Sequence, residues 1–394
     1  MVERKPLYSI VRSISTGLNP RQNFVLNEDK ANYYYVTVKE ITTNKVIFSD
    51  STDKITEAAK RIINNRSKLA IGDILFSGIG TIGKVAYVDI PTNNWDCSES
   101  VFLIKPNETV KGKYLSYILS SDVAKQQYEK GSAGAIMKGV RKSTLENLLI
   151  PLPSLSEQER IVGILDTFTS SIENLKAQIS LRRKQYEHYR DKLLDLEGKP
   201  GVEMKTLGEI MQIVRGASPR PIQKFLTEKD GVNWIKIGDV SPNDKYITKT
   251  KEKITQEGAN KSRHLKPDDF ILSNSMSFGR PYILKIDGCI HDGWIAMSDY
   301  EDYVTSGYLY VVLNTDATQR YWKKKANNGG AMSNLNSDIV RDTPIPLPSL
   351  QEQSRIVSIL DEFEASIKNL EAQLEAREKQ YEYYREKLLT FERE

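Results

Sequence analysis

The chain is poor in the residues that most often carry chemistry. Its 394 residues include only two cysteines and three histidines. Cys97 and Cys289 are too few for a disulfide framework or a zinc cluster. That scarcity suits a reducing compartment, and the cytoplasm is the expected location. No apolar run approaches the eighteen or so residues that a membrane helix needs. The opening MVERKPLYSI has no apolar core of the kind a signal peptide carries. G-x-x-x-x-G-K-[ST] is absent, which excludes a P-loop, and so is the H-E-x-x-H metal motif. No G-x-S-x-G elbow supports Ser/His/Asp catalysis. Charge is nearly balanced: 56 basic residues against 52 acidic ones leave a net +4, which permits a polyanionic partner without demanding one. No P-loop, metal site or Ser/His/Asp centre is therefore expected on this chain.

Two local patterns resemble sites and fail on context. Gly78-Ile79-Gly80-Thr81-Ile82-Gly83 matches G-x-G-x-x-G, which holds dinucleotide phosphates only where it opens a helix. A strand pattern, Lys84 to Val88, follows instead, so the segment reads as a glycine-rich hairpin. His291-Asp292 beside Trp294 has the look of a base and its orienter. The corresponding Trp95-Asp96 has no histidine. His188 reads as a surface residue, and His264 has no evident partner.

What the chain has in abundance is repetition. Residues 150–197, IPLPSLSEQERIVGILDTFTSSIENLKAQISLRRKQYEHYRDKLLDLE, return at 345–392 with roughly two-thirds of positions identical. Pro151 and Pro153 keep the entry extended. Ser154 is placed to cap a helix, with Glu157 completing a capping box, and Ser349 with Glu352 repeats this. Apolar residues then step by four and three. The first copy presents Ile161, Leu165, Phe168, Ile172, Leu175 and Ile179, then Tyr186, Tyr189, Leu193 and Leu196. The second presents Ile356, Leu360, Phe363, Ile367, Leu370 and Leu374, then Tyr381, Tyr384, Leu388 and Phe391. This a/d pattern lasts about five heptads and predicts two long helices paired along a narrow seam. A broad bundle core is the alternative. Arg182 and Arg377 interrupt the seam at matching places, either to set register or to snorkel outward.

The remaining sequence forms two related blocks. Strands are expected at Tyr33–Ile41, Asp73–Phe76, Lys84–Asp89 and Val101–Ile104, and helices at Ile55–Asn65 and Tyr114–Lys130. DILFSGIGTIGK (73–84) aligns with DFILSNSMSFGR (269–280), and Gly17-Leu18-Asn19-Pro20-Arg21 with Gly216-Ala217-Ser218-Pro219-Arg220. Gly198, Pro200 and Gly201 break the chain after the first repeat. The expected plan is α+β and pseudo-two-fold. Globular blocks occupy 1–149 and 201–344, long helices 150–200 and 345–394, and the helices pair as an antiparallel coiled coil. The chain ends are expected to lie near each other. Scaffold residues recur between blocks while loop residues differ, as duplication followed by specialisation of two binding surfaces would leave.

Taken together, these features resemble the specificity subunit of type I restriction–modification systems. The resemblance is carried by the two I-P-L-P-S-L-x-E-Q-x-x-I segments leading into heptad helices. Leu207-Gly208-Glu209-Ile210, the G-x-x-P-R turns and the D-x-x-x-S strands support it. It covers nearly the whole chain, although the first block lacks L-G-E-I. The resemblance implies that each block is a target recognition domain reading one half of a split double-stranded DNA sequence. It also implies that the helices set the spacing and dock two methyltransferase subunits, with translocating restriction subunits added for cleavage. S-adenosylmethionine and ATP would then sit only on those partners, and the chain itself would be non-catalytic.

On that reading, loop cations meet phosphate and small polar groups meet base edges. The candidates in the first block are Arg21, Lys39, Ser77, Thr81, Lys84, Lys138, Arg141 and Lys142. In the second they are Arg215, Arg220, Lys236, Asn274, Ser275, Ser277, Arg280, Lys324, Asn334 and Asn336. Two other classes remain. A stand-alone methyltransferase or nuclease with fused recognition domains would need [ND]-P-P-[YF] for methyl transfer, and the chain lacks it. A structural coiled-coil adaptor would have no DNA role.

Overall fold

In the computed structural model the described residues are 2–21, 23–42, 44–132, 139–241, 244–274, 278–326 and 334–391. They divide into two compact units. One holds Met1–Ala177 with Glu371–Glu394, and the other holds Gln178–Leu370. The long helices, Leu155–Leu194 and Leu350–Thr390, each contribute to both units.

The first unit is built on an antiparallel sheet in the order Val11–Thr16, Val101–Pro106, Ile74–Ser77, Val85–Tyr87. A smaller sheet places Tyr33–Val36 between Lys54–Ile55 and Trp95–Cys97, with Trp95–Cys97 parallel to it. The expected strand over Tyr33–Ile41 stops at Val36, because the Glu40 carboxylate accepts from both the Thr37 amide and the Thr37 hydroxyl and turns the chain. The expected Tyr114–Lys130 helix is two helices, Gly112–Leu119 and Asp122–Ser132. Between them the Ser120 and Ser121 hydroxyls bond back to the carbonyls of Tyr117 and Ile118, a local competition that ends helices.

The second unit repeats this frame. Its main sheet runs Gln212–Arg215, Trp294–Ser298, Phe270–Ser273, Pro281–Leu284, Tyr246–Ile247. A second sheet carries Val232–Ile235 parallel to Gly288–Ile290. Leu207–Ile210, the L-G-E-I segment, is a single helical turn with a complete Thr206–Glu209 capping box. The first unit has the 3-10 turn Leu7–Ser9 in its place.

The repeated I-P-L-P segments are strands. Leu149–Leu152 pairs with Glu3–Pro6, and Pro344–Leu347 with Glu203–Thr206. A buried tyrosine secures each one: Tyr114 donates to the Pro151 carbonyl at 2.8 Å and Tyr308 to that of Pro346 at 2.9 Å. Ser154 and Ser349 cap the long helices, each accepting from the amide three residues on at 3.3 Å. The second half of the expected capping box does not form. Glu157 and Glu352 turn outward to Arg160 and Arg355 instead, because a two-bond guanidinium fork outcompetes one backbone amide. Gln158 and Gln353 then lock helix to unit from fully buried positions. Gln158 accepts from the Lys111 amide at 2.8 Å and donates to the carbonyls of Thr109 and Pro153. Gln353 does the same with Thr305, Tyr303 and Pro348.

The seam is present and antiparallel. In the first unit Phe168 packs on Tyr381 and Tyr384, so the start of one helix lies beside the end of the other. In the second unit Tyr189 packs on Phe363, and Tyr186 donates to Glu364. Ile161, Leu165, Ile179, Ile356 and Leu360 are buried, while Ile172, Leu175, Ile367, Leu370 and Leu374 are half-buried. Ile161 and Leu165 also join the globular core around Leu7, Ile10 and Tyr114. Ile356 and Leu360 do so around Leu207 and Tyr308. Leu389, off the a/d pattern, is fully buried because the last turn of the second long helix lies against the first unit's core. Arg182 and Arg377 do not point away from the seam. Their guanidiniums lie 5.7 and 5.6 Å from the ring centres of Phe363 and Phe168, as cation–π partners. Arg4, in the first strand, donates to the Thr390 carbonyl at 3.3 Å, which brings those two segments together.

Candidate nucleic-acid interface

The glycine-rich segment is a hairpin between Ile74–Ser77 and Val85–Tyr87, with Gly80 and Gly83 at positive φ. The buried Ser77 hydroxyl donates to the Thr81 carbonyl at 2.6 Å and accepts from the Lys84 amide at 2.8 Å, closing the loop from within. The backbone around this hairpin is matched bond for bond in the second unit. Gly78 donates to Ser100 where Asn274 donates to Gly293, and Val140 donates to Gly78 where Leu335 donates to Asn274. These pairs establish Ser77 with Ser273, Gly78 with Asn274, Lys84 with Arg280 and Glu99 with Asp292 as equivalents. At the Gly78 position a Cβ would lie 2.3 Å from the Phe102 ring, so the first unit needs glycine there.

The second unit adds a polar hub at this end of its sheets. Asp292 sits in the turn between Gly288–Ile290 and Trp294–Ser298. Its carboxylate accepts from the Ser218 hydroxyl at 2.9 Å and from Arg220 at 3.3 Å. Its carbonyl accepts from Arg215 at 3.0 Å and from the Asn274 amide group at 3.1 Å. Its own amide returns to the Ser218 oxygen at 3.1 Å. Burial alone would raise the Asp292 pKa. The Ser218 hydroxyl, His291, Arg220 and Arg215 outweigh it and hold the carboxyl below the usual carboxylate range. Beside the hub lies a cavity of about 450 Å³, lined among others by Gln223, Trp234, Lys236 and Glu252. His291 is not hydrogen-bonded to an orienter: its Nδ1 accepts from the Gly293 amide at 2.8 Å and its Nε2 lies 3.6 Å from the Asp292 carboxylate, whose bonds go to Ser218 and Arg220.

The sequence-derived candidates separate accordingly. Arg21, Lys39, Thr81, Arg141, Lys142, Arg215, Arg220, Lys324 and Asn334 are exposed. Lys324 stands between Lys323 and Lys325 on the helix Asp316–Ala326. Four others are engaged internally. Ser77 is fully buried in its hairpin and cannot reach a base edge. Asn274 is buried with its amide on Asp292. The Lys84 ammonium donates to the Val38 carbonyl at 3.0 Å, and Lys236 is paired with Glu252. Asn336 is exposed, but its side chain caps the helix Ser337–Arg341. Arg280 is half-buried and hydrogen-bonds Tyr282. Lys138, Ser275 and Ser277 lie outside the described residues. His264 has a partner after all, Asp287 at 3.3 Å.

Sequence reasoning missed Asp292 as an organiser of arginines. Its partners Ser218, Arg220 and Arg215 lie 72 to 77 residues away along the chain, where no spacing rule reaches.

A family model described as the type I restriction modification DNA specificity domain matches residues 3–182 and again 200–377. The type I restriction enzyme EcoR124I/EcoR124II specificity subunit of Escherichia coli is 32% identical over 252 residues, which is 61% of this chain and 61% of that protein. The chain thus spans less than two thirds of that relative. A putative type I restriction enzyme specificity subunit of Haemophilus influenzae is 30% identical over 308 residues, 74% of this chain and 75% of that one. Among solved structures, a chain from the complex assembly and conformational transition of the type I R-M system has a TM-score of 0.63 at 19% identity, covering 98% of this chain and 97% of that one. The S subunit from M. genitalium has a TM-score of 0.57 at 18% identity, covering 100% of this chain and 97% of its own. These two share the fold. With the family model spanning both halves, the chain belongs to the type I restriction–modification specificity subunits.

Proposed function

We propose that each unit reads one half of a bipartite double-stranded DNA sequence and that the paired helices set the distance between the halves. The observation that carries this reading is the contrast at the hairpin ends. Backbone bonds there match between the units, while the side chains they present differ: Gly78 against Asn274, and Glu99 against Asp292. A duplicated backbone frame that carries different polar groups is what two readers of different sequences require, since base edges are told apart by donor and acceptor pattern. Exposed cations around each frame, Arg21 and Arg141 in one and Lys323, Lys324 and Lys325 in the other, suit phosphate contacts that fix position without specifying sequence.

On this reading the chain acts in the cytoplasm without catalysing a step. Two methyltransferase subunits dock on it and bring S-adenosylmethionine, and restriction subunits bring ATP-driven translocation and cleavage. The stiff helix pair would hold reading heads about one duplex turn apart or slightly more, roughly 34 Å or above.

The test is methylation mapping of DNA from cells carrying this chain with its partners. Exchanging residues 1–149 for another recognition domain should change one half-site and leave the other. Inserting a heptad into one long helix should change the spacer between unchanged halves. Change at both halves in the first experiment, or an unaltered spacer in the second, overturns the modular reading.

A further inference from the structure

We infer that Asp292 is a positioning residue for sequence readout in the second unit, and that it aims the Arg220 guanidinium at the acceptor pair on a guanine edge. The inference rests on the DNA-reading function proposed above and assigns one base contact within it.

The argument begins with the geometry of the hub. Arg220 is held at its tip: its side chain is 83% exposed, yet one nitrogen meets Asp292, whose side chain is only 32% exposed. Asp292 is itself fixed by Ser218 through two bonds in opposite directions, from the serine hydroxyl to the carboxylate and from the aspartate amide to the serine oxygen. Asp292 is thus a fixed anchor beneath a solvent-facing guanidinium. A guanidinium carries five N–H donors in a planar fork, and Asp292 takes part of one edge. The remaining donors are available to a second partner, and the tether to Asp292 lowers the conformational freedom lost when one binds.

Geometry decides which DNA group such an anchored guanidinium suits. Asp292 offsets one cation of the pair Arg215 and Arg220, which leaves the hub net positive and attractive to phosphate and base acceptors alike. Glu252 neutralises Lys236 nearby. The planar fork is what distinguishes the two. The guanine O6 and N7 acceptors match a fixed guanidinium fork bidentately, whereas phosphate is served as well by an unrestrained lysine. Among the described residues the first unit has no counterpart of this anchor. Ser98 and Ser100 there bond to each other at 2.6 Å, and Arg21 stands exposed in the equivalent turn. The inference accordingly concerns one half-site only.

The experiment measures cognate and single-base-substituted duplexes with the full chain assembled with its methyltransferase subunits. The variants are Asp292→Ala, Asp292→Asn, Arg220→Lys and the double variant Asp292→Ala with Arg220→Lys. Arg220→Lys keeps the charge, loses the fork and alters an exposed side chain, so it does not threaten folding. It should reduce discrimination at one G·C pair of one half-site at least tenfold and leave the other half-site unchanged. Asp292→Ala should erode discrimination at that same pair, Asp292→Asn should restore part of it, and the double variant should be no worse than Arg220→Lys alone. Unchanged base preference in Arg220→Lys overturns the inference. So does a loss in Asp292→Ala that is equal on cognate and substituted duplexes. A wild-type complex with no bipartite preference would instead refute the function on which the inference rests.

Discussion

Phe168 and Tyr384 stack with ring centres 5.4 Å apart and planes inclined by 28°, and Tyr189 and Phe363 repeat that contact with the same distance and angle. In both cases the phenylalanine comes from one copy of the repeat and the tyrosine from the other. Arg377 and Arg182 cover the two phenylalanines in turn. A single arrangement is thus used twice, and its energetics should be matched. Each ring pair is worth about 0.5–1.5 kcal/mol beyond burial, and each cation–π contact about 0.5–1 kcal/mol. Phe168→Leu and Phe363→Leu should therefore each lower stability by about 1–2 kcal/mol in urea titrations. Losses that differ severalfold would show that the two ends are not energetically equivalent.

Gln158 and Gln353 should be costly to replace despite being uncharged. Each is fully buried with every bond made to backbone at the junction of helix and unit. Gln158→Leu strands the Lys111 amide and the Thr109 carbonyl in the interior. Leaving a buried group unpaired costs about 1–3 kcal/mol. Thermal unfolding should show the loss for either substitution, and a neutral result would mean that water reaches the vacated amides.

Asp96 should make stability fall as pH rises through the mildly acidic range. It is fully buried, its Oδ2 has no partner among the described residues, and burial pushes its pKa up to about 7 against the opposing pull of the Cys97 amide and Lys60. A carboxyl raised in the folded state binds more protons there than in the unfolded chain, so its contribution is fullest below about pH 4 and declines up to about pH 7. Asp96→Asn should flatten that part of the profile and raise the melting temperature most at pH 8. An unchanged slope between pH 4 and 7 would remove Asp96 as its source.

Lys324 stands exposed between two further lysines. If it meets phosphate, Lys324→Ala should weaken cognate and non-cognate DNA alike and make the salt dependence shallower by about one ion. Lys84→Ala is a less clean probe, because its ammonium also holds the Val38 carbonyl. A sequence-selective effect of Lys324→Ala would place it at a base instead.

Much of this molecule was legible from periodicity. The heptad steps marked both helices, and the seam residues from Ile161 to Ile179 and Ile356 to Leu374 are buried or half-buried as the pattern requires. The extended I-P-L-P entries and the serine caps were equally visible, because both depend on neighbours in sequence. What escaped depends on distant partners. Ser77 looked like a surface hydroxyl until the hairpin closed over it, and Lys236 looked free until Glu252 met it. Residue type and loop location cannot distinguish a side chain that faces solvent from one that braces its own backbone. The seam arginines escaped for a related reason: charge at an a/d position suggests register or escape to water, and only the facing ring shows the third option.

The contact between Gly78 and Phe102 bears on how such a reader could be re-engineered. Asparagine fits at the equivalent point of the second unit, where Ile295 underlies the chain in the position that Phe102 holds in the first. A hairpin transplanted from one copy into the other would bring its tip but leave the wrong floor beneath it. The transferable cassette therefore includes the residue below the loop, and grafts that exchange 74–87 without also exchanging position 102 should misfold locally before any new DNA preference can be scored.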